Sequence, residues 1–434
     1  MRIKLQYGID EIEIKCPDDC IVYDADYPYQ KKTASDLLIE SLLEPVASEP
    51  FEDLIIKRES GNVVIVVSDI TRPIPYKDFL PSLLSLLENN NVNRQEIILL
   101  IATGMHRPST QEERFQMFGE FIANNYRIID HKCEEEEDLV ELDGYSWSGS
   151  KVKLNKYYVE AGFRIITGLV EPHFMAGYSG GRKSVCPGLA GLETVKKFHG
   201  YQFLNNPNAS STNLTDNPCH DENTSIAMMC PPDFSINIVL DNHKKINMII
   251  SGELFKSHYK TIDYVKLACC PKVMRQADIV VTSCGGYPLD ATFYQCVKGF
   301  VNCLPAVKEK GKILAFGSCL EGVGSPEFTN LMFKYNGKEE QFIKDISTET
   351  SFIKDQWQFQ MHLRVLNKIG KSNLYFFTTN IQLKDLQRLS VNGHSLPKAK
   401  IEQTIQGIID RSVLLNEQIA VLPQGPYCSP VIQY

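Results

Sequence analysis

Three apolar runs in the first half of the chain are short, continuous and closed by turn residues. They are VVIVV at 63–67, IILLI at 97–101 and RIITGLV at 164–170. Runs of this length, flanked by polar or glycine-rich segments, predict strands buried on both faces, the pattern of a parallel sheet. Between them the period changes. PSLLSLLENNN (81–91) repeats leucine at helical spacing and ends in asparagines, which predicts an amphipathic helix. Alternating strands and helices predict an α/β protein built on mostly parallel sheets with flanking helices. The opening MRIKLQYGIDEIEIK alternates charged and apolar residues like an edge strand. NIVLDNHKKINMIISGEL predicts a hairpin around Asp241-Asn242.

A second α/β unit is predicted from about 271. ADIVVTSCGGYPLD (277–290) and GKILAFGSC (311–319) each read as a strand running into glycines, and 292–308 between them reads as helical. The expected division is an N-terminal α/β domain over 1–270, a C-terminal α/β domain over 271–410, and a tail over 411–434 packed back on the surface. Residues 205–223 are rich in Asn, Pro and Ser and are expected to form a long surface excursion. The acidic run 134–138 reads as a solvated loop or helix start.

Composition narrows the function classes. At 434 residues, with 43% hydrophobic and 23% charged positions, the chain can build two cores. A net charge of −8 argues against broad nucleic-acid binding. No apolar stretch is long enough to span a bilayer, and the start has no signal-peptide core. The 13 cysteines are scattered without a C-x-x-C pair, as expected of a reduced, cytoplasmic protein with mostly buried thiols. Oligomeric state leaves no mark.

Chemistry concentrates after the three apolar runs. The first leads into Ser68-Asp69-Ile70-Thr71-Arg72, the second into Thr103-Gly104-Met105-His106-Arg107, the third into Glu171-Pro172-His173 and on to Gly180-Gly181-Arg182-Lys183. Ligands of open α/β sheets gather beyond the carboxyl ends of the strands, so these loops describe one site. Histidine accepts and donates protons near neutral pH, and His106 and His173 are paired acid/base candidates. The 177–183 segment lacks P-loop spacing, yet its amides could form an anion-binding nest with charge from Arg182 and Lys183. Arg72, with Gln295 and Lys298 three apart on a predicted helix, would suit a small carboxylate. His199 closes a helix predicted from about Leu192. It reads either as a cation at the helix end or as a metal ligand, and no second ligand stands at a metal-like spacing. Two other readings fit parts of this set: a phosphate-cradling transferase using 177–183, and a non-catalytic hydroxy-acid-binding protein.

The strings S-D-I-T-R-P, A-T-G-M-H-R, E-P-H-F-M-A-G-Y-S-G-G-R-K-S-V-C-P-G and K-K-F-H, with Y-Q-C-V-K at 294–298 and Trp357-Gln358, resemble the nickel-dependent lactate racemase family in order and spacing. The resemblance implies racemisation or epimerisation of a short 2-hydroxy acid, with D- and L-lactate the expected pair. It implies a nickel pincer nucleotide, a pyridinium-3,5-bisthiocarboxylic acid mononucleotide joined covalently to Lys183, with His199 as the protein ligand of nickel. It also implies partner enzymes that make this cofactor. In that scheme His106 and His173 are the acid/base pair and Arg72, Gln295 and Lys298 hold the substrate. Asp69, Thr71, Gly180, Gly181, Tyr294 and Trp357 seat the nucleotide and close the pocket. Hydride passes from the hydroxy acid to the cofactor and returns to the other face of a planar keto acid. The expected site is a cleft between two domains that closes over substrate.

Overall fold

The computed structural model describes residues 1–348 and 352–432. Two compact units emerge. The first comprises Tyr27–Phe198 and Asn213–Val265; the second comprises Met1–Asp26, His199–Thr212 and the chain from Lys266 onward.

The first unit is built on a six-stranded sheet. Its order is Ile246–Gly252, Phe234–Leu240, Phe163–Leu169, Val63–Ser68, Ile97–Ala102, Arg127–Asp130. All neighbours run parallel except the first pair, the hairpin expected around Asp241. Val63 to Val67 and Ile97 to Ile101 are fully buried, as continuous apolar runs in a parallel sheet require. Val63, Ile65, Val67, Ile97, Leu99 and Ile101 share one face with the Leu80–Asn89 helix, whose Leu80, Leu83, Leu84 and Leu87 are buried at helical spacing. Each such leucine contributes about 1.5–3 kcal/mol. Pro81 lies in the first turn of that helix, where its missing N–H costs nothing.

The second unit carries another six-stranded sheet, ordered Asn392–Ser395, Leu374–Thr378, Val307–Phe316, Ala277–Ser283, Ile419–Leu422, Ile21–Val22, and it is parallel throughout. The alternating N-terminus forms an antiparallel hairpin of Arg2–Tyr7 and Asp10–Lys15, which buries Leu5, Tyr7, Ile12 and Ile14 against this sheet's core. Its outer edge is not left bare: Gln406 accepts from Lys15 N at 2.8 Å and donates to Lys15 O at 3.0 Å.

Several local expectations change. The 205–223 excursion is split. Arg364 donates to the carbonyls of Ala209, Leu204 and Asn206 at 2.7, 2.6 and 2.8 Å and holds its first part down. From Pro218 the chain is a helix, Pro218–Met229, capped by Asn217 and burying Cys219, Asn223 and Ile226. The helix expected over 292–308 is Phe293–Asn302, and Val307 already begins a strand. Within the expected surface tail, Ile419–Leu422 is an interior buried strand. Among the described residues all thirteen cysteines are free, twelve of them buried, and no helix is long and apolar enough to cross a membrane.

Candidate active site

In the first unit the strands Phe163–Leu169, Val63–Ser68 and Ile97–Ala102 are adjacent and parallel, so the three loops leave the sheet side by side. Their roots are fastened by buried hydroxyls. Tyr76 accepts from Ser68 N at 2.6 Å, and its hydroxyl lies 3.1 Å from Thr167 Oγ1, which itself donates to Val66 O at 2.8 Å. Burial pushes the Tyr76 phenol up to about 12, so it stays a protonated tie. Thr103 donates to His131 O at 2.5 Å and steadies the second loop.

Asp69 stands at the centre of the first loop. Its carboxylate accepts from Thr71 N and Thr71 Oγ1 at 3.2 and 2.6 Å, and its other oxygen lies 2.5 Å from His106 Nδ1. Burial alone would raise this carboxyl; the contacts with His106, Thr71 and Arg72 outweigh it and hold Asp69 below its usual range. The His106 side chain is 53% exposed, so its ring is tethered at one edge and open elsewhere. Arg72 crosses to the third loop and donates to Glu171 at 2.8 Å.

His173 is buried in a tight hairpin in which Pro172–His173 pairs with Gly177–Tyr178. Its Nδ1 accepts from Ala176 N at 3.2 Å and from Met175 N at 3.4 Å. Gly177 has φ +75°, and a Cβ there would lie 2.4 Å from Asn213 O, so this turn accepts only glycine. Ser179 ties the hairpin's far side back to the strand by donating to Leu169 O at 2.7 Å.

The glycine segment behaves differently from a solvated nest. Gly180 has φ +72°, and its Cα passes so close to Gly168 that a Cβ on Gly168 would meet it at 2.8 Å. This brings the following turn, Gly181–Ser184, down onto the sheet. Arg182 is fully buried and donates to His258 Nδ1 at 2.9 Å. Lys183 rests over the Phe198 ring at 5.0 Å. Burial and then the positive charge of Arg72 press its amine from 10.5 down to about 7.

The remaining candidates belong to the second unit. Trp357 Nε1 donates to the Tyr294 hydroxyl at 2.9 Å, and Gln358 Nε2 donates to Tyr294 O. His199, immediately after the Leu192–Phe198 helix, packs on Trp357 with ring centroids 4.5 Å apart. Gln295 and Lys298 lie on the helix capped by Thr292. Gln295 Oε1 is buried with no hydrogen-bond partner among the described residues, an acceptor waiting for a donor.

The first unit thus links Asp69, Thr71, Arg72, His106 and Lys183, while the second links His199, Tyr294 and Trp357. Gly180 and Gly181 shape a turn. Residue-by-residue reading missed Glu171, Tyr76 and His258. Glu171 was the most legible of these, an acid at the end of the strand beside the one that leads into Arg72.

Residues 7–212 match the model of the lactate racemase N-terminal domain, and residues 273–425 match that of the lactate racemase C-terminal domain. A lactate racemase of Thermoanaerobacterium thermosaccharolyticum is 33% identical over 370 residues, 84% of this chain and 86% of that protein. One of Lactiplantibacillus plantarum is 36% identical over 340 residues, 78% of this chain and 79% of its own. The solved lactate racemase apoprotein from T. thermosaccharolyticum superposes with a TM-score of 0.87 at 29% identity, covering 100% of both chains. A Thermotoga maritima protein shares the fold at TM-score 0.67 and 16% identity, over 90% of this chain and 100% of its own. With matches of this extent in both halves, the chain belongs to the lactate racemase family and is an isomerase of the racemase type.

Proposed function

We propose that this protein interconverts the enantiomers of a short 2-hydroxy acid, lactate first among them, using a nickel pincer nucleotide carried on Lys183. The observation that carries the reading is a buried lysine amine, pressed down to about 7, in the same unit as two histidines on loops that leave neighbouring strands. An amine at about 7 is largely unprotonated at physiological pH and is a competent nucleophile toward an activated carboxyl group. By the resemblance, Lys183 would bear the group and His199 would ligate nickel, with Asp69, Thr71, Gly180, Gly181, Tyr294 and Trp357 seating the nucleotide. When bound, the cofactor would accept hydride from the substrate carbon and return it.

The protein's own residues do the rest. Arg72 offers a planar fork to the substrate carboxylate and gives up Glu171 to do so, while Lys298 and the unpartnered Gln295 oxygen supply a cation and an acceptor. His106 and His173 hold and move the hydroxyl proton. Enzymes that make the cofactor are the implied partners, and a cytoplasmic setting accords with thirteen free thiols.

The test is a chiral assay of the protein co-produced with the cofactor-making enzymes, run on a panel of short 2-hydroxy acids. Racemisation of lactate supports the reading. A fully loaded protein that binds lactate without turnover would convert it to a binding protein.

A further inference from the structure

The two loop histidines are held in different ways, and this bears on how the proposed racemisation uses them. His106 Nδ1 lies 2.5 Å from a carboxylate oxygen of Asp69, whose other oxygen is taken by Thr71. An ionised carboxylate only accepts, so Nδ1 must carry the hydrogen. His173 Nδ1 faces two backbone N–H groups, those of Met175 and Ala176, which only donate. There Nδ1 must be bare, and a neutral ring carries its hydrogen on Nε2.

We infer that the chain fixes its two histidines in opposite tautomers: His106 with Nε2 open as a proton acceptor, His173 with Nε2–H as a donor. Asp69 is the positioning residue for the first, and the 173–177 turn for the second. For the enantiomer whose hydroxyl meets His106, the hydroxyl proton passes to Nε2 and leaves an imidazolium balanced by the Asp69 carboxylate. His173 meanwhile offers its hydrogen bond to the substrate. When hydride returns to the other face, His173 gives its Nε2 proton to the product alkoxide as a solvent proton is taken up on Nδ1. The His106 imidazolium releases an equal proton, so the cycle balances. For the mirror image His173 must bare Nε2, which sets a hydrogen on Nδ1 against two amide hydrogens. The turn must then release Met175 N and Ala176 N before that half of the reaction begins. Because mirror images have equal free energy, kcat/KM is forced to be equal in the two directions, so steady-state rates hide this asymmetry.

It is read directly on the rings. The full-length chain without cofactor, labelled with ¹⁵N-histidine, is examined by two-bond proton–nitrogen correlation at a pH about 1.5 units above histidine's unperturbed value. Signals are assigned by their loss in His106→Gln and His173→Gln. The expected spectrum shows His106 protonated at Nδ1 and bare at Nε2, with His173 the reverse. In Asp69→Asn the His106 nitrogens should shift toward each other as the tautomers mix, while His173 stays unchanged. Identical tautomers on both rings of the unsubstituted chain, or a His106 pattern indifferent to Asp69→Asn, would overturn the inference. Should Asp69→Asn not fold, the unsubstituted chain still decides. The inference rests on the proposed acid/base roles, but the two fail separately. Opposite tautomers without lactate turnover would remove the racemase reading alone, and turnover with matched tautomers would remove this one alone.

Discussion

The depressed Lys183 amine makes a quantitative prediction for the chain before any cofactor is attached. With its midpoint at about 7, roughly three quarters of Lys183 is neutral at pH 7.5, against about one in a thousand for an ordinary lysine. That is a several-hundred-fold excess of reactive amine. The perturbation is pH itself, stepped from about 6 to 10 while the protein is pulse-labelled with a small amine reagent such as cyanate. Peptide mass spectrometry then gives a titration midpoint for each lysine, which separates protonation from accessibility. Lys183 should reach half-maximal labelling near neutrality, far below the range of an ordinary lysine amine. Arg72→Gln removes the second-largest cause of the shift and should move the Lys183 midpoint upward. The same amine leaves a mark on stability. Between about 7 and 10.4 the unfolded chain binds a proton that the folded chain does not, so this lysine's contribution to stability improves as pH rises through that window. Lys183→Met should therefore gain most in Tm over the parent at or below pH 7 and lose that advantage toward pH 10. A Lys183 labelling midpoint indistinguishable from that of exposed lysines would refute the reasoning.

Three further outcomes follow from individual contacts. Asp69→Asn should lower lactate racemisation by about 10²–10⁴-fold, equally in both directions, with the lysine adduct still present by intact mass; undiminished turnover would free His106 from Asp69. Gly177→Ala should lower Tm and cut racemisation together, because its Cβ would sit 2.4 Å from Asn213 O at the base of the His173 hairpin; a fully active, equally stable variant would contradict that geometry. Tyr76→Phe should cost about 1–3 kcal/mol in urea denaturation, because it takes away the partner of the half-buried Ser68 N–H, and a cost near zero would show that this tie does not anchor the loops.

The parallel sheets were legible because their strands are apolar on both faces, a pattern that survives without tertiary information. VVIVV and IILLI became adjacent central strands, and the leucine repeat at 81–91 became a helix over Leu80–Asn89. The N-terminal alternation gave a hairpin, and what it packs against was not encoded locally: its partner core lies with residues beyond 277. The 205–223 segment differs from its expected form for another reason. Its polar composition hid the Asn217-Pro218 start signal of a helix, and the anchor of its first part, Arg364, lies some 150 residues away in sequence. For the site, residue types and motif strings pointed to the loops, but not to what each side chain touches. The resemblance gives Asp69 as a nucleotide contact, and the structure adds a contact with His106 that no motif string records. Arg182 reads from sequence as a cation supplying charge to an anion-binding nest, and the structure buries it on His258. Both differences arise from how loops fold over one another, which neither periodicity nor spacing records.

The most direct measurement is the mass of the protein after co-production with the cofactor-making enzymes, followed by peptide mapping and metal analysis. The account predicts a single covalent addition located on Lys183, nickel in equimolar amount, and loss of both in Lys183→Ala. An unmodified Lys183 in protein that nonetheless racemises lactate would contradict it.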